Sequence, residues 1–367
     1  MALRGENMNI CFTTIGLNFG GAERVTSILA NKLTEYGHKV TIIILNEDHT
    51  IAYSIHENVN ILYMQSACFN KFGNLSKLII KLRQLLKSVN PDVVLSFSNT
   101  TFTFTWLATM GMKIPLIFSE RNDPNVIKGM KDKAFQNIAL KMAKKIVFQT
   151  NGAKNYYTKN KIQKKSVVIL NPFSTNNIDN ISECVVRKKE IVSVGRLTQQ
   201  KNQKLLINAF IKIANLVPDY NLVIYGEGNL RSELEEMISS NKMENRIFLP
   251  GTKKDVLTRI NSAALFVLTS DYEGLPNALI EAMALGLPCI STDCSPGGAR
   301  ELIKDHINGI VVPVNDEEQL IESIRYMLDN SNEAKKMGQE AKAIINLLDE
   351  NIVAKQWEKV IISSLTQ

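Results

Sequence analysis

The sequence has no run of about eighteen apolar residues, which excludes an ordinary membrane-spanning helix. The start, MALRGENMNICFTTIG, has no apolar signal-peptide segment before its first strand-like run, so no secretory leader is expected. The five cysteines (Cys11, Cys68, Cys184, Cys289, Cys294) are an odd number and include no CxxC pair. That argues against a disulfide framework or zinc site, and for reduced thiols in the cytoplasm. The dinucleotide fingerprint GxGxxG is missing from the first strand-to-helix turn, where GLNFGGAER spaces its glycines as GxxxGG. A nicotinamide-binding protein is therefore disfavoured, with only Glu47 and Asp48 after the second strand to support it.

A chain of 367 residues is too long for one ordinary core, so two domains are expected. Apolar residues make up 45% and charged residues 22%, the composition of a globular protein. The charge is uneven. Residues 1–180 carry 22 Lys and Arg against 11 Asp and Glu, whereas the remainder carries 21 against 25. The basic half implies an anionic partner: nucleic acid, an acidic membrane surface or a phosphorylated substrate. A solvated lysine-rich surface is the alternative.

Strand-like and helix-like segments alternate. NICFTTIG, HKVTIIIL, PDVVLSFS, IPLIFSE, IVFQT and VVIL read as strands. GGAERVTSILANKLTEYG, NLSKLIIKLRQLLKSV and KAFQNIALKMAKK read as helices between them. The polar, turn-rich NPFSTNNIDNISECVVRKK reads as a linker, and after it the alternation restarts with EIVSVG, YNLVIYG, RIFLPG, ALFVLTS and PCIST as strands. The expected fold is α/β: two Rossmann-like, doubly wound domains facing a central cleft.

Ligands of such sheets gather at the carboxyl ends of the strands, where four motifs fall. Gly20 and Gly21 in GLNFGGAER let a backbone approach a ligand at a helix N-terminus, or serve a tight turn alone. Gly195 to Gln203, GRLTQQKNQ, offers Arg196 and Lys201 to a diphosphate. YGEGNLRSEL places Gly226 and Gly228 after a strand, to house a base or simply to turn. The fourth, SDYEGLPNALIEAMALGLPCIST, carries Glu273 in a loop and Glu281 in a helix among Leu279, Ile280, Ala282, Met283 and Ala284. A carboxylate in apolar surroundings needs a partner. For Glu281 the candidates are a ribose diol or an internal Arg or Lys. The amides of Gly274, Leu275 and Asn277 suit phosphate or hydroxyl groups.

Together, Gly20–Gly21, Gly195–Arg196 with Lys201, Gly226–Glu227–Gly228, and Glu273 with Glu281 in E-x7-E spacing resemble the GT4-type retaining glycosyltransferases. The resemblance spans nearly the whole chain and is most specific in EGLPNALIEAMALGLPCISTDCSPGGARELI. It implies a GT-B fold. Residues 1–172 would form the acceptor-side domain and 173–350 the nucleotide-sugar domain, with a last helix at about 351–367 crossing back to the first. It also implies roles. Arg196 and Lys201 would neutralise the leaving diphosphate, Glu281 would hold the ribose, and Glu273 with the following amides would hold the sugar. No DxD motif is present to hold a metal on the diphosphate, so no metal or cofactor is expected.

One departure stands out. Many relatives carry a histidine in the loop that here reads PLIFSERNDP, while this chain has only His38, His49, His56 and His306. Glu120, Arg121, Asn122 and Asp123 stand there instead and would position sugar and acceptor, the leaving diphosphate taking the acceptor proton. An Arg121–Asp123 salt bridge is the alternative for this loop. The loop resembles that of relatives building cell-surface polysaccharides or lipid-linked glycans, which implies a glycan or polyprenyl-diphosphate acceptor and no nucleic acid.

At 100° per residue, Leu75, Leu78, Ile79, Leu82, Leu85, Leu86 and Val89 form one arc of a helix, opposite Lys77, Lys81, Arg83 and Lys87 with Ile80 among them. Lys133, Lys141, Lys144 and Lys145 add to the same domain. This basic face suits anionic headgroups or an acceptor diphosphate, and places the protein on the cytoplasmic face of a membrane. Lys77 and Lys81 are thus acceptor-side candidates. Two other readings stay open: a nucleotide-sugar hydrolase or epimerase on the same fold, and a catalytically silent nucleotide-sugar binder.

Overall fold

A computed structural model describes residues 7–18, 20–46, 49–64, 75–121, 123–126, 129–175, 178, 181 and 186–366. Glu47, Asp48, Asn122 and part of the expected linker, residues 176, 177, 179, 180 and 182–185, lie outside them. The chain divides into two compact units, Met1–Pro172 with Leu348–Gln367, and Phe173–Leu347.

The first unit holds seven parallel strands: β1 (Asn9–Thr14), β2 (Lys39–Ile44), β3 (Asn60–Tyr63), β4 (Val93–Ser96), β5 (Leu116–Glu120), β6 (Lys145–Phe148) and β7 (Ser166–Val168). Their order is β3-β2-β1-β4-β5-β6-β7. The second unit repeats this plan with β8 (Lys188–Val194), β9 (Asn221–Tyr225), β10 (Ile247–Phe248), β11 (Ala263–Leu268), β12 (Cys289–Thr292) and β13 (Ile310–Val312). Its order is β10-β9-β8-β11-β12-β13, again all parallel. Each sheet changes winding direction once, at β1/β4 and at β8/β11, which is the doubly wound arrangement. Helices cover both faces, so the strands are apolar along their length; Ile10, Cys11 and Phe12 are fully buried.

Several elements escape the sequence pattern. The stretch NTTFTFTWLAT alternates threonine with aromatic residues like a strand, yet Asn99–Thr109 is a helix. Its threonines satisfy their hydroxyls inside the helix: Thr103 Oγ1 donates to Asn99 O (2.8 Å), Thr105 Oγ1 to Thr101 O (2.7 Å) and Thr109 Oγ1 to Thr105 O (2.9 Å). Ser98 caps its start by accepting from Thr101 N at 3.2 Å. β3 and β13 are short and carry little signal, whereas the helix Glu317–Asp329 has a legible one, an Asp316 cap followed by Leu320, Ile324 and Met327 on its buried face.

The helix Glu350–Leu365 begins where Asp349 Oδ1 accepts from the amides of Asn351 and Ile352. It buries Val353, Trp357 and Ile361 in the core of the first unit, with Ile10, Phe12 and Phe97. In the helix Leu75–Val89 only Leu78, Leu82 and Leu86 of the expected arc are fully buried, and Leu75 at its start is 44% exposed. Arg83 is not part of a free basic face: its Nη1 donates to Ala108 O (2.8 Å) and Met110 O (2.7 Å), closing the end of the neighbouring helix. Lys77, Ile80 and Lys87 are exposed and Lys81 is half-buried. Among the described residues no helix is long and apolar enough to cross a membrane.

Candidate active site

In the second unit the motifs follow the carboxyl ends of four adjacent strands. Gly195 and Arg196 follow β8, Gly226 follows β9, Glu273 comes five residues after β11, and Gly297–Gly298 follow β12. Two of these loops meet at the switch point between β8 and β11. There the Lys201 ammonium is ion-paired with Glu273 Oε1, and both side chains are largely buried. Ser270 Oγ, fully buried, donates to the same Oε1 at 2.8 Å. Ser270 O in turn accepts from Thr292 Oγ1 at 2.6 Å, tying the end of β11 to the end of β12. The carboxylate is thus fixed by a cation on one loop and a hydroxyl on another.

The Lys201 loop is sewn to the Glu273 loop along its length. Asp271 N donates to Gln200 O (2.8 Å), Gln200 Nε2 to Tyr272 O (3.0 Å) and Thr269 Oγ1 to Asn202 O (2.9 Å). Asn202, at φ +45°, stands in the left-handed region and caps the helix Gln203–Ile213. Its Nδ2 donates to Asp271 Oδ1 (2.7 Å) and Asn315 Oδ1 (2.8 Å). Arg196 differs: it is exposed, and it joins no ion pair among the described residues. Its carbonyl accepts from Gln203 Nε2 at 2.8 Å and from Thr198 N at 2.9 Å.

The glycines at two positions have a definite reason. Gly226 sits at φ +149°, and a Cβ on it would run into Gly195 O. A Cβ on Gly298 would run into Gly274 O, so the loop after β12 closes on the turn that leads into the helix Asn277–Ala284. That turn holds Leu275, which is buried, and Asn277 opens the helix. Glu281 lies within it and is half-buried rather than enclosed, while Ile280, Ala282 and Met283 are buried. Burial raises the Cys294 thiol to about 12, with Glu273 adding to the effect, so this cysteine is an inert neighbour of the site.

In the first unit Gly20 precedes the helix Gly21–Glu35 in extended backbone that any residue adopts, and a Cβ there would meet the tip of the Glu23 side chain. At the end of β5, Glu120 is buried and accepts from Gln136 Nε2 at 3.1 Å. The Arg121 guanidinium lies 4.7 Å from the Phe97 ring centre and 5.7 Å from that of Trp357, and its Nη1 donates to Asn171 Oδ1 at 2.6 Å. Desolvation lowers the Arg121 pKa to about 9, against the pull of Glu120. No Arg121–Asp123 ion pair forms among the described residues. Among these residues no group of three or more His, Cys, Asp or Glu side chains is arranged to hold a metal ion.

Two family models match consecutive parts of the chain, "Glycosyltransferase Family 4" over residues 19–177 and "Glycosyl transferases group 1" over residues 174–344. The chain belongs to glycosyltransferase family 4. A Campylobacter jejuni relative, named GalNAc-α-(1→4)-GalNAc-α-(1→3)-diNAcBac-PP-undecaprenol α-1,4-N-acetyl-D-galactosaminyltransferase, is 28% identical over 359 residues, 96% of this chain and 98% of that protein. Among solved structures, Anabaena Alr3699/HepE in complex with UDP and glucose superposes with a TM-score of 0.80 at 19% identity, covering 97% of this chain and 100% of that one. A Rickettsia africae glycosyltransferase superposes at 0.81 with 23% identity, covering 99% and 100%. This family 4 glycosyltransferase has the GT-B fold.

Motif reading of the glycosyltransferase found Lys201 and Glu273 but not the residues that fix them, Ser270, Thr292, Asn202, Asp271 and Asn315. Serine, threonine and asparagine near strand ends are common, and nothing in their spacing marks these five. Asn202 alone leaves a signal, because asparagine tolerates the left-handed backbone better than most residues.

Proposed function

We propose that this glycosyltransferase moves a sugar, with retention of anomeric configuration, from a UDP-linked nucleotide sugar to a glycan acceptor carried on a polyprenyl diphosphate, in cell-surface polysaccharide or glycan assembly. The observation that carries the reading is the buried Lys201–Glu273 pair past the ends of β8 and β11, with exposed Arg196 on the same loop as Lys201. Cations there suit a departing diphosphate, and a held carboxylate suits sugar hydroxyls. Arg196 and Lys201 supply the charge that a metal supplies elsewhere, so the reaction needs no metal and no cofactor. Glu281 takes the ribose; Gly195, Gly226, Gly274, Leu275 and Asn277 shape the donor pocket. Glu273 both holds the sugar and steadies Lys201.

The second unit is the donor side and the first the acceptor side, where Glu120, Arg121 and Asp123 lie, while Gly20 and Gly21 are assigned to donor binding. The name of the Campylobacter relative supports a lipid-linked acceptor, and the Anabaena complex supports UDP. Exposed Lys77 and Lys87 flanking exposed Ile80, with Lys81 beside them, support peripheral contact with the anionic cytoplasmic face of a membrane. A thermal-shift panel of UDP- and GDP-sugars tests the donor: a ligand at 100 times its Kd adds about 2.7 kcal/mol of stability. Stabilisation by GDP-sugars alone overturns the UDP assignment. A product of inverted anomeric configuration by NMR overturns retention.

A further inference from the structure

The three acceptor-side residues at and after the end of β5 are not equivalent. Glu120 is engaged by Gln136, and the Arg121 guanidinium lies against Phe97 and Trp357 with Nη1 on Asn171, while its Nε and Nη2 are buried without a partner among the described residues. Asp123 is only 3% exposed and half used. Its Oδ1 accepts from Asn125 N (2.9 Å) and Asn125 Nδ2 (3.1 Å), both within its own loop. Its Oδ2 is buried and has no partner among the described residues. A buried carboxylate oxygen left without a donor is strongly unfavourable, so such an atom asks what completes it.

Asn99 repeats the pattern on the neighbouring strand end. β4 and β5 are paired, with Ser96 opposite Phe118, so the segments that follow them emerge side by side. Asn99 opens the helix after β4; its carbonyl accepts from Thr103, while its Oδ1 is buried without a partner among the described residues. The idle atoms of Arg121 are donors, whereas those of Asp123 and Asn99 are acceptors. The complement of these two acceptors is a group that carries O–H or N–H, and a phosphate, which presents only acceptors when ionised, does not qualify.

We infer that Asp123 and Asn99 form a subsite for the hydroxyl groups of the acceptor sugar, with Asp123 Oδ2 accepting from one of them. This rests on the proposed reading that the acceptor lies on the first unit, and it adds which residues meet the sugar and through which chemistry.

Steady-state kinetics of the full chain test it, with the UDP-sugar that gives the largest thermal shift as donor and synthetic N-acetylgalactosaminyl-diphospho-undecaprenol as acceptor. Asp123→Asn, nearly isosteric, should raise the acceptor KM by about tenfold or more, as expected for loss of one hydrogen bond to a carboxylate. The donor KM and the slow release of UDP in the absence of acceptor should stay within about twofold. Asn99→Ala should shift the same constant in the same direction. Acceptors lacking single hydroxyls should include one that costs the wild type as much as Asp123→Asn does and costs the variant nothing further. An unchanged acceptor KM in Asp123→Asn overturns the subsite and leaves an internal water on Oδ2. Equal shifts in both KM values overturn it as well. A wild type that binds UDP-sugars but transfers to no diphospho-undecaprenol-linked sugar overturns the lipid-linked acceptor reading and this subsite with it.

Discussion

Lys201 and Glu273, 72 positions apart in sequence, are ion-paired in a largely buried setting, and Ser270 donates to the same carboxylate oxygen. The pair joins the two loops that flank the switch point of the second sheet. Each side chain is therefore fixed by protein partners, and removing Lys201 leaves Glu273 with the Ser270 hydroxyl.

That asymmetry separates the two cations. Lys201→Ala should lower turnover by about 10²-fold or more if the ammonium stabilises the developing charge. It should also cost about 1–3 kcal/mol of stability, because Glu273 is left with only the Ser270 hydroxyl. Arg196→Ala should lower turnover by a similar factor and leave the Tm nearly unchanged, since Arg196 is exposed and unpaired among the described residues. Turnover and calorimetry on the two variants check this. EDTA should change neither rate, and strict dependence on added Mn²⁺ or Mg²⁺ would refute the metal-free reading.

The two glutamates should divide the donor between them. Glu281→Ala should weaken binding of any nucleotide with a ribose diol, measured by calorimetric titration of UDP. Glu273→Ala should leave UDP affinity nearly intact and act on turnover. Equal loss of UDP affinity in both variants would remove the division.

Asn202 holds Lys201 in place from a left-handed backbone. Asn202→Ala should cost about 1–3 kcal/mol, from backbone strain and a lost cap. Asn202→Gly should cost less, because glycine adopts that backbone freely. Both should lower turnover, since each frees Asp271 and loosens the loop carrying Lys201. Urea denaturation alongside activity measures the difference, and equal destabilisation by Ala and Gly would contradict the strain argument.

Membrane contact is read from the helix Leu75–Val89. The protein should float with anionic vesicles at low salt and detach at high salt, because surface charges are screened. The triple change Lys77→Glu, Lys81→Glu, Lys87→Glu should abolish flotation and spare donor binding, each lysine contributing about 1 kcal/mol. Indifference of the wild type to anionic vesicles at low salt would make the basic face a solubility feature.

The amino-acid sequence by itself determined the alternation of strands and helices. Strands buried on both faces, such as β2 with VTIII, read as continuous apolar runs whatever their neighbours are. It also determined which residue types stand at the strand ends, including Arg196, Lys201 and Glu273. Three things were decided only by the tertiary structure. NTTFTFTWLAT became a helix because its phenylalanines find a core, its threonine hydroxyls being satisfied by carbonyls one turn back. Glu281 stayed half-buried, because apolar neighbours along a short helix do not say how deeply its remaining face is covered. Glu273 acquired Lys201 and Ser270 as partners, and Asp123 kept one oxygen idle, through contacts set by the order and register of the strands. Local sequence carries period and propensity, but the pairing of charges across 72 residues follows from which strands lie side by side.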